Sequence, residues 1–184
     1  MSYFWTVQSK EVVDIINSKG EYYPNFANRN HGKDYRIILE SFNSVNKTDY
    51  KGLIFGFAKQ KREGNFESID ELYEYLLQNP LVTDAFDFWD KEHVILQLEI
   101  QENYNQIPID FNDFNQITFP IWGIEVNENI ISLVKQGCYN DRCILPSFTQ
   151  IHFPYIKKEN IINVYNNFDK RHSDDTGKLN IFSI

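Results

Sequence analysis

Large and small side chains alternate at the start of the chain, and this alternation predicts a β-strand over residues 3–8. Ser9 then supplies a candidate N-cap, and apolar residues recur at helical spacing as far as Gly20, a natural residue for ending a helix. Residues 21–26 return to an extended, aromatic pattern. The first part of the chain is therefore predicted to form a strand–helix–strand unit.

The middle of the chain contains two more helical patterns and one strand. Residues 34–42 have apolar side chains at helical spacing, whereas residues 53–58 form a short apolar run typical of a buried strand. Gly56 inside that run indicates a bulge or a close backbone approach. Ser68 is a candidate N-cap with Glu71 at the capping-box position, so a third helix is predicted to begin there.

The second half of the chain is mostly strand-like. Residues 93–100 alternate apolar and polar side chains and predict a half-buried strand, and two later strands are predicted over residues 148–155 and 160–165. This order of elements indicates an α+β fold with a mixed or antiparallel sheet core and two or three helices packed on it. We expect one globular domain over residues 1–165, followed by a polar connector and a short tail over residues 166–184.

Composition and charge narrow the classes of function. The chain has 184 residues, of which 42% are hydrophobic and 16% aromatic, enough to bury a full core. Its 18 basic and 26 acidic residues give a net charge of −8, which disfavours non-specific nucleic-acid binding and is compatible with a basic protein partner. No apolar run approaches the ~20 residues of a membrane span, and the N-terminus lacks a signal-peptide pattern. We therefore expect a cytoplasmic protein with no membrane partner.

The sequence signatures of common enzyme classes are absent. The P-loop, Rossmann, α/β-hydrolase and zinc-protease motifs do not occur. Cys138 and Cys143 could supply two zinc ligands, with His152 as a distant third, or they are ordinary thiols; no metal site is predicted, because a structural zinc site needs four ligands. Two acidic, aromatic segments, residues 84–90 and 110–115, suit either metal or acid–base chemistry or exposed loops and turns.

One late strand carries a pair of polar residues on the same face. In a strand over residues 149–153, Gln150 and His152 fall on one face, and Ile151 and Phe153 fall on the other. Gln150 and His152 either face water or line a pocket, and the sequence leaves both interpretations open.

Short motifs spread over most of the chain resemble a known group of proteins. They are Trp5-Thr6-Val7-Gln8, the helix to Gly20, the strand at 53–58, Asp87-Phe88-Trp89, and the segments 94–100 and 150–164. Together they resemble an uncharacterised family of small bacterial and phage proteins that open with an aromatic-Thr-x-Gln strand. That family has no assigned activity to carry over.

Two of these strands also resemble another family. The opening strand reads Trp5-Thr6-Val7-Gln8, and the late strand reads Gln150-Ile151-His152-Phe153. They resemble the ADP-ribosyltransferase superfamily, especially its DNA-modifying toxin branch, which has His-x-Thr and Gln-Ala-Glu-Phe in these two strands. The resemblance implies an ADP-ribosyltransferase-like fold that binds NAD or a related nucleotide.

The resemblance also implies which residues hold the nucleotide. Thr6 and Gln8 would contact a ribose, and Tyr22 or Tyr23 would stack on the nicotinamide ring, with Tyr23 as the preferred candidate. Gln150, on the late strand, would complete the cofactor-binding set.

The matching position for the catalytic glutamate is occupied by His152. In the family, that glutamate steadies the positive charge that develops on the ribose carbon as the nicotinamide leaves. An imidazole is a poor substitute, and when protonated it repels this charge. Either Glu125, or Glu99 from another strand, compensates, or the domain binds a nucleotide without turning it over.

A second hypothesis is a non-enzymatic, acidic protein-binding module, such as a phage inhibitor or a toxin–antitoxin component. It rests on the net charge of −8 and on the density of Tyr, Phe and Trp, residue types that anchor interfaces.

Overall fold

A computed structural model describes most of the chain, namely residues 2–26, 33–58, 65–78, 91–100, 107–110, 132 and 149–167. Contacts group the chain into two compact units whose segments alternate along the sequence. The described part of the first unit comprises residues 2–22, 65–78, 91–100 and 156–167. The described part of the second unit comprises residues 23–26, 33–58, 107–110, 132 and 149–155. Each unit is considered by itself below.

Helices and antiparallel strands make up the described chain, so the predicted α+β class is confirmed. The helices are α1 (Lys10–Lys19), α2 (Lys33–Asn46) and α3 (Ile69–Leu77). The strands are β1 (Ser2–Ser9), β2 (Glu21–Tyr22), β3 (Ile54–Ala58), β4 (His93–Ile100), β5 (Ile107–Asp110), β6 (Thr149–Phe153), β7 (Ile156–Lys157) and β8 (Ile161–Asn166). None of these helices is long and apolar enough to cross a membrane.

Helix α1 begins and ends where the sequence predicts. The Ser9 hydroxyl accepts a hydrogen bond from the Val12 amide, which satisfies one free N–H of the first turn. Gly20 has φ of 84°, in the left-handed region, and its amide donates to the Ile16 carbonyl at 2.8 Å. Val12 and Ile16 are buried, so the predicted apolar face is confirmed.

Helix α3 also has its predicted N-cap, with one difference. The Glu71 amide donates to the Ser68 hydroxyl at 3.1 Å, as a capping box requires. The Glu71 carboxylate, however, accepts from the amide of Glu67, one residue before the cap, at 2.8 Å. The two contacts fix the first turn of α3 together with the residue that leads into it.

The first unit is built around β4, which pairs antiparallel with β1 on one side and with β8 on the other. The predicted half-buried alternation is wrong for this strand, because residues 94–98 are buried on both faces. The polar Gln97 is only 7% exposed, and its side-chain carbonyl accepts a hydrogen bond from Asn163 of β8 at 2.8 Å. A buried amide is tolerated there because a neighbouring strand satisfies it.

Trp5 of β1 is the central side chain of the first unit. It is fully buried, and its indole N–H donates to the Phe66 carbonyl at 2.7 Å, across 61 positions of sequence. Its ring also contacts Tyr165 of β8 at a centroid distance of 5.8 Å. One side chain therefore joins β1 to β8 and to the segment that leads into α3.

The second unit is built around β6, which pairs antiparallel with β3 and with β5. The pairing of β3 with β6 runs without a register shift through Gly56, so this ladder does not contain the predicted bulge. Strand β5 was not predicted from the sequence. It contains Pro108, which cannot donate to a ladder, and a strand position beside only one described neighbour accommodates this residue. Asp110, for which metal or acid–base chemistry and an exposed turn were both open, is the last residue of β5.

Two predicted boundaries differ from the structure. Helix α2 continues to Asn46, past its predicted end at residue 42, and stops where Lys47 takes a left-handed φ of 54°. The extended segment predicted over residues 21–26 is a strand only at Glu21–Tyr22, which pairs with β7. Pro24 explains the short length, because a proline cannot continue the ladder.

Several predictions concern residues outside the described part of the chain. They are the catalytic candidate Glu125, the Cys138 and Cys143 pair, the acidic segment 84–90, most of segment 110–115, and the tail from residue 168.

We predict that Trp5→Phe lowers the free energy of unfolding by about 2–4 kcal/mol, since it removes the buried hydrogen bond from the indole to the Phe66 carbonyl and opens a cavity. Tyr3→Phe is the matched control, because Tyr3 lies on the same strand and is 38% exposed; its effect should stay within about 0.5 kcal/mol. Urea unfolding followed by circular dichroism measures both. Equal effects would show that the indole contact does not stabilise the first unit.

Candidate ligand-binding site

Two of the predicted cofactor-binding residues, Thr6 and Gln8, lie on β1 in the first unit. The structure brings them together, because the Gln8 amide nitrogen donates to the Thr6 hydroxyl at 2.8 Å. Thr6 is fully buried, whereas Gln8 is partly exposed. A ribose could therefore reach the Thr6 hydroxyl only if its present neighbours moved.

The predicted residues His152 and Gln150 lie on β6 in the second unit. His152 is fully buried and meets the edge of the Phe55 ring at 4.9 Å and 86°. The interpretation that His152 faces water is therefore wrong, and the imidazole is part of the core. Gln150 lies opposite Phe57 of β3 and Ile109 of β5 in the strand pairing.

The remaining predicted residue, Tyr23, lies beside a concavity of about 310 Å³ in the second unit. Tyr23 is 49% exposed, the most exposed large hydrophobic side chain among the described residues. Three short segments line the concavity: Tyr23, Pro24 and Asn25 after β2, Asp49, Tyr50 and Lys51 before β3, and Pro154 after β6. Tyr50 is partly exposed, whereas Pro24 and Pro154 are buried. Accessible aromatic side chains at a concave surface are typical of a binding site.

Further aromatic rings contact the two tyrosines that line this concavity. The Tyr155 ring contacts Tyr23 at a centroid distance of 5.1 Å and Tyr50 at 6.3 Å. Phe42 of α2 contacts Tyr50 in turn, edge-on at 6.2 Å. Ring pairs at these distances are stabilising in tilted and edge-on arrangements. Tyr23 and Tyr50 are therefore held in place before any ligand arrives.

A single side chain, Asn43 of α2, fixes the backbone around Tyr50. Its amide nitrogen donates to the Tyr50 carbonyl at 2.9 Å, and its side-chain oxygen accepts from the Tyr50 amide at 3.0 Å. The same oxygen also accepts from the Thr48 hydroxyl at 3.0 Å. The Asn43 side chain therefore pairs with both backbone groups of Tyr50, a residue that lies outside any helix or strand.

The segments on the two sides of the concavity also meet directly. The Phe26 amide donates to the Lys51 carbonyl at 2.9 Å. A β-carbon added at Gly52 would lie 2.6 Å from the Pro24 carbonyl oxygen, so only glycine allows this approach. The segment after β2 therefore lies directly against the segment before β3.

The charged part of the lining is an ion pair. Lys51 Nζ lies 2.6 Å from Asp49 Oδ2, with 64% of the Lys51 side chain and 87% of the Asp49 side chain exposed. Exposed pairs of this kind contribute little stability, so either partner can turn to a ligand at small cost.

Tyr50 keeps its phenol proton more strongly than a free tyrosine does. Burial, and next to it the neighbouring Tyr155, raises the pKa of Tyr50 above its ordinary value. The rings beside the concavity therefore include a neutral phenol up to alkaline pH.

Most of these lining residues could not be chosen from the sequence. Asp49, Tyr50 and Lys51 fall in a segment that reads only as a polar loop, and Pro154 falls at the end of a strand. The glycine at position 52, directly before an apolar strand, was the one available signal of a close approach.

The lining of the concavity offers both aromatic and polar groups to a ligand. Its aromatic rings can stack on a planar ligand, and Lys51, Asp49 and Asn25 offer polar groups. Within the described ranges, no group of three or more His, Cys, Asp or Glu side chains could hold a metal ion.

The chain matches no protein-family model, no curated protein and no solved structure.

We predict that Gly52→Ala destabilises the protein by about 1–3 kcal/mol, because the added methyl group meets the Pro24 carbonyl oxygen and forces the two backbones apart. Glu40→Ala, at an exposed position of α2 in the same unit, is the control and should change little. Urea unfolding measures the difference. If Gly52→Ala is as stable as the control, the close approach is not needed.

We also predict a pH effect of Tyr50. A pKa that is raised in the folded state contributes stability below the unfolded pKa of about 10, and this contribution is lost as pH rises through the folded pKa. Tyr50→Phe cannot ionise, so the variant should lose less unfolding free energy than the native protein between about pH 9 and about pH 11. Parallel losses in urea unfolding at the two pH values would contradict this assignment.

Proposed function

We propose that this protein binds NAD or a related nucleotide, and that the Tyr23 concavity receives one ring of the ligand. The observation that carries the proposal is the placement of Tyr23, half-exposed and backed by Tyr155, beside a concavity of about 310 Å³. A planar ring stacked on Tyr23 would bury apolar surface that is now exposed to solvent. Stacking of a base on an aromatic side chain contributes about 1–3 kcal/mol.

Size and charge favour a small part of a nucleotide. Ligand pockets usually measure about 300–1,000 Å³, so this concavity is at the lower limit and suits one nucleoside rather than a whole dinucleotide. The net charge of −8 disfavours a ligand with many phosphates, while Lys51 offers a cation for one.

The proposal is binding without transfer, on an ADP-ribosyltransferase-like fold with an altered site. His152 stands where the resemblance requires a glutamate, and its imidazole is buried against Phe55 rather than beside solvent. An imidazole carries no negative charge, so it cannot steady a positive charge on a ribose carbon as a carboxylate does. Thr6 and Gln8 remain predicted ribose contacts, and Gln150 remains a predicted cofactor-binding residue.

A protein partner is the second candidate, and one observation favours it. Pro24, Pro154 and Tyr23 lie at the concavity together with the 87% exposed carboxylate of Asp49. Aromatic grooves of this kind also receive extended, proline-containing peptides, and an exposed carboxylate suits a basic flanking residue. A basic peptide partner would use the same surface and would exclude the nucleotide.

Thermal unfolding in the presence of millimolar NAD, ADP-ribose, AMP or nicotinamide mononucleotide tests the proposal. A ligand at about 100 times its dissociation constant adds about 2.7 kcal/mol, equivalent to about 5–10 °C in Tm for a chain of this length. A rise with one or more of these ligands supports nucleotide binding. No rise with any of them rejects it and directs the search to a basic protein partner.

We predict that Tyr23→Ala abolishes the ligand-dependent rise in Tm, while Tyr23→Phe retains it, because stacking needs the ring and not the hydroxyl. Tyr3→Ala is the control, since Tyr3 is also an exposed tyrosine but lies on β1 in the first unit. Isothermal titration calorimetry gives the affinities, and circular dichroism confirms that each variant is folded. Native affinity in Tyr23→Ala would exclude the concavity as the site.

A further inference from the structure

Three tyrosine rings of the second unit lie in contact with one another at the protein surface. The Tyr155 ring contacts the Tyr23 ring at a centroid distance of 5.1 Å and the Tyr50 ring at 6.3 Å. We infer that Tyr23 and Tyr155 form a site of oxidative modification, at which peroxide joins the two rings covalently as dityrosine. This inference is independent of nucleotide binding, because it depends on the tyrosines alone.

The reaction is the oxidative coupling of two phenols, with hydrogen peroxide as the oxidant and a haem peroxidase to activate it. Each phenol loses one electron and its hydroxyl proton and becomes a tyrosyl radical. The radicals join through a new bond between ring carbons next to the hydroxyl-bearing carbons. The hydrogen on each joined carbon then moves to the oxygen and restores the phenol. Overall, two tyrosines lose two hydrogen atoms, and one hydrogen peroxide is reduced to two waters.

The arrangement of the Tyr23 and Tyr155 rings is the first basis for this site. Their centroid distance of 5.1 Å is at the short end of the range of about 4.5–7 Å that is usual for aromatic contacts. Their planes are inclined by 37°, and the two rings of dityrosine are likewise twisted about the bond that joins them. Groups that are held side by side react without first having to meet by diffusion. Coupling within the chain is therefore favoured over coupling between chains.

Accessibility to an oxidant is the second basis. Tyr23 is 49% exposed, and Tyr155 is partly exposed. Oxidation by an enzyme of the peroxidase type has to begin at a phenol that the enzyme or a small radical can reach. Tyr23 meets this requirement, and its nearest described phenol ring is that of Tyr155.

Tyr50 is the alternative partner of Tyr155, and the structure disfavours it. Its ring is farther from Tyr155, at 6.3 Å, and it also contacts Phe42 edge-on. The Asn43 side chain holds the Tyr50 backbone by hydrogen bonds to both its amide and its carbonyl. Tyr50 therefore has less freedom to approach Tyr155 than the half-exposed Tyr23 has.

The cross-link would alter the candidate ligand-binding site. Tyr23 lines the concavity, whereas Tyr155 contacts it from the side. A covalent bond between these rings would fix the Tyr23 ring on Tyr155 and change the surface that is offered to a ligand. Oxidation would thus act on the concavity whichever ligand it takes.

The test treats the purified native protein with hydrogen peroxide and a haem peroxidase over a range of protein concentrations. Denaturing gel electrophoresis isolates the single-chain product, and dityrosine fluorescence measures its yield. We expect the intact mass of this product to be lower by two hydrogen atoms. Sequencing of its linked tryptic peptides should identify Tyr23 and Tyr155. The yield per chain should not depend on protein concentration, because the bond forms within one chain.

Conservative variants identify the two rings that react. Tyr23→Phe and Tyr155→Phe should each lose the single-chain dityrosine, because a phenylalanine ring has no hydroxyl hydrogen to give up. Tyr22→Phe is the matched control, since Tyr22 is the neighbour of Tyr23 in sequence and is also partly exposed; it should keep the native yield. Circular dichroism confirms that each variant is folded.

Several results would overturn the inference. The site is excluded if the native protein forms no single-chain dityrosine, or if Tyr23→Phe or Tyr155→Phe forms as much as the native protein. A link between Tyr50 and Tyr155, or between any other pair, would overturn the choice of rings. A yield that rises in proportion to protein concentration would show coupling between chains. None of these results bears on the Tm test with nucleotides, so the two proposals fail separately.

Discussion

The concavity depends on the closeness of two backbones at Gly52 and Pro24. These residues are far apart in sequence, yet any β-carbon at position 52 would lie 2.6 Å from the Pro24 carbonyl oxygen. Because the two backbones lie this close, Tyr23 and Tyr50 line the same concavity. The hydrogen bond from the Phe26 amide to the Lys51 carbonyl also joins the two segments. The shape of the candidate binding surface is therefore set by backbone packing, and the side chains supply the groups that could contact a ligand.

Both units rely on single polar side chains that satisfy distant backbone groups. In the first unit, the Trp5 indole donates to the Phe66 carbonyl; in the second, Asn43 serves both the amide and the carbonyl of Tyr50. Such contacts are more specific than apolar burial, because a buried carbonyl or amide without its partner is costly. These side-chain hydrogen bonds explain how segments outside the helices and strands can be ordered without strand pairing.

The sequence predicted local features well and distant ones poorly. The caps at Ser9, Gly20 and Ser68 depend on neighbours within four residues, so residue type alone located them. The burial of Gln97 was missed because it depends on Asn163 in another strand, and β5 was missed because a proline is acceptable only where one side of the strand lacks a partner. Of the candidate site, Tyr23 was found through a resemblance, whereas Asp49, Tyr50 and Lys51 belong to it only through the packing of remote segments.

Asn43 and Gly52 have a consequence for recognising related chains. Neither residue lines the concavity. A chain with another residue at either position would nevertheless need a different conformation in the loop before β3. A relative that keeps both, with the asparagine in a helix and the glycine nine positions later, before an apolar strand, should keep the concavity even where its tyrosines have changed. In a relative that lacks them, a ligand site would have to be sought on a different surface, even where the fold class is shared.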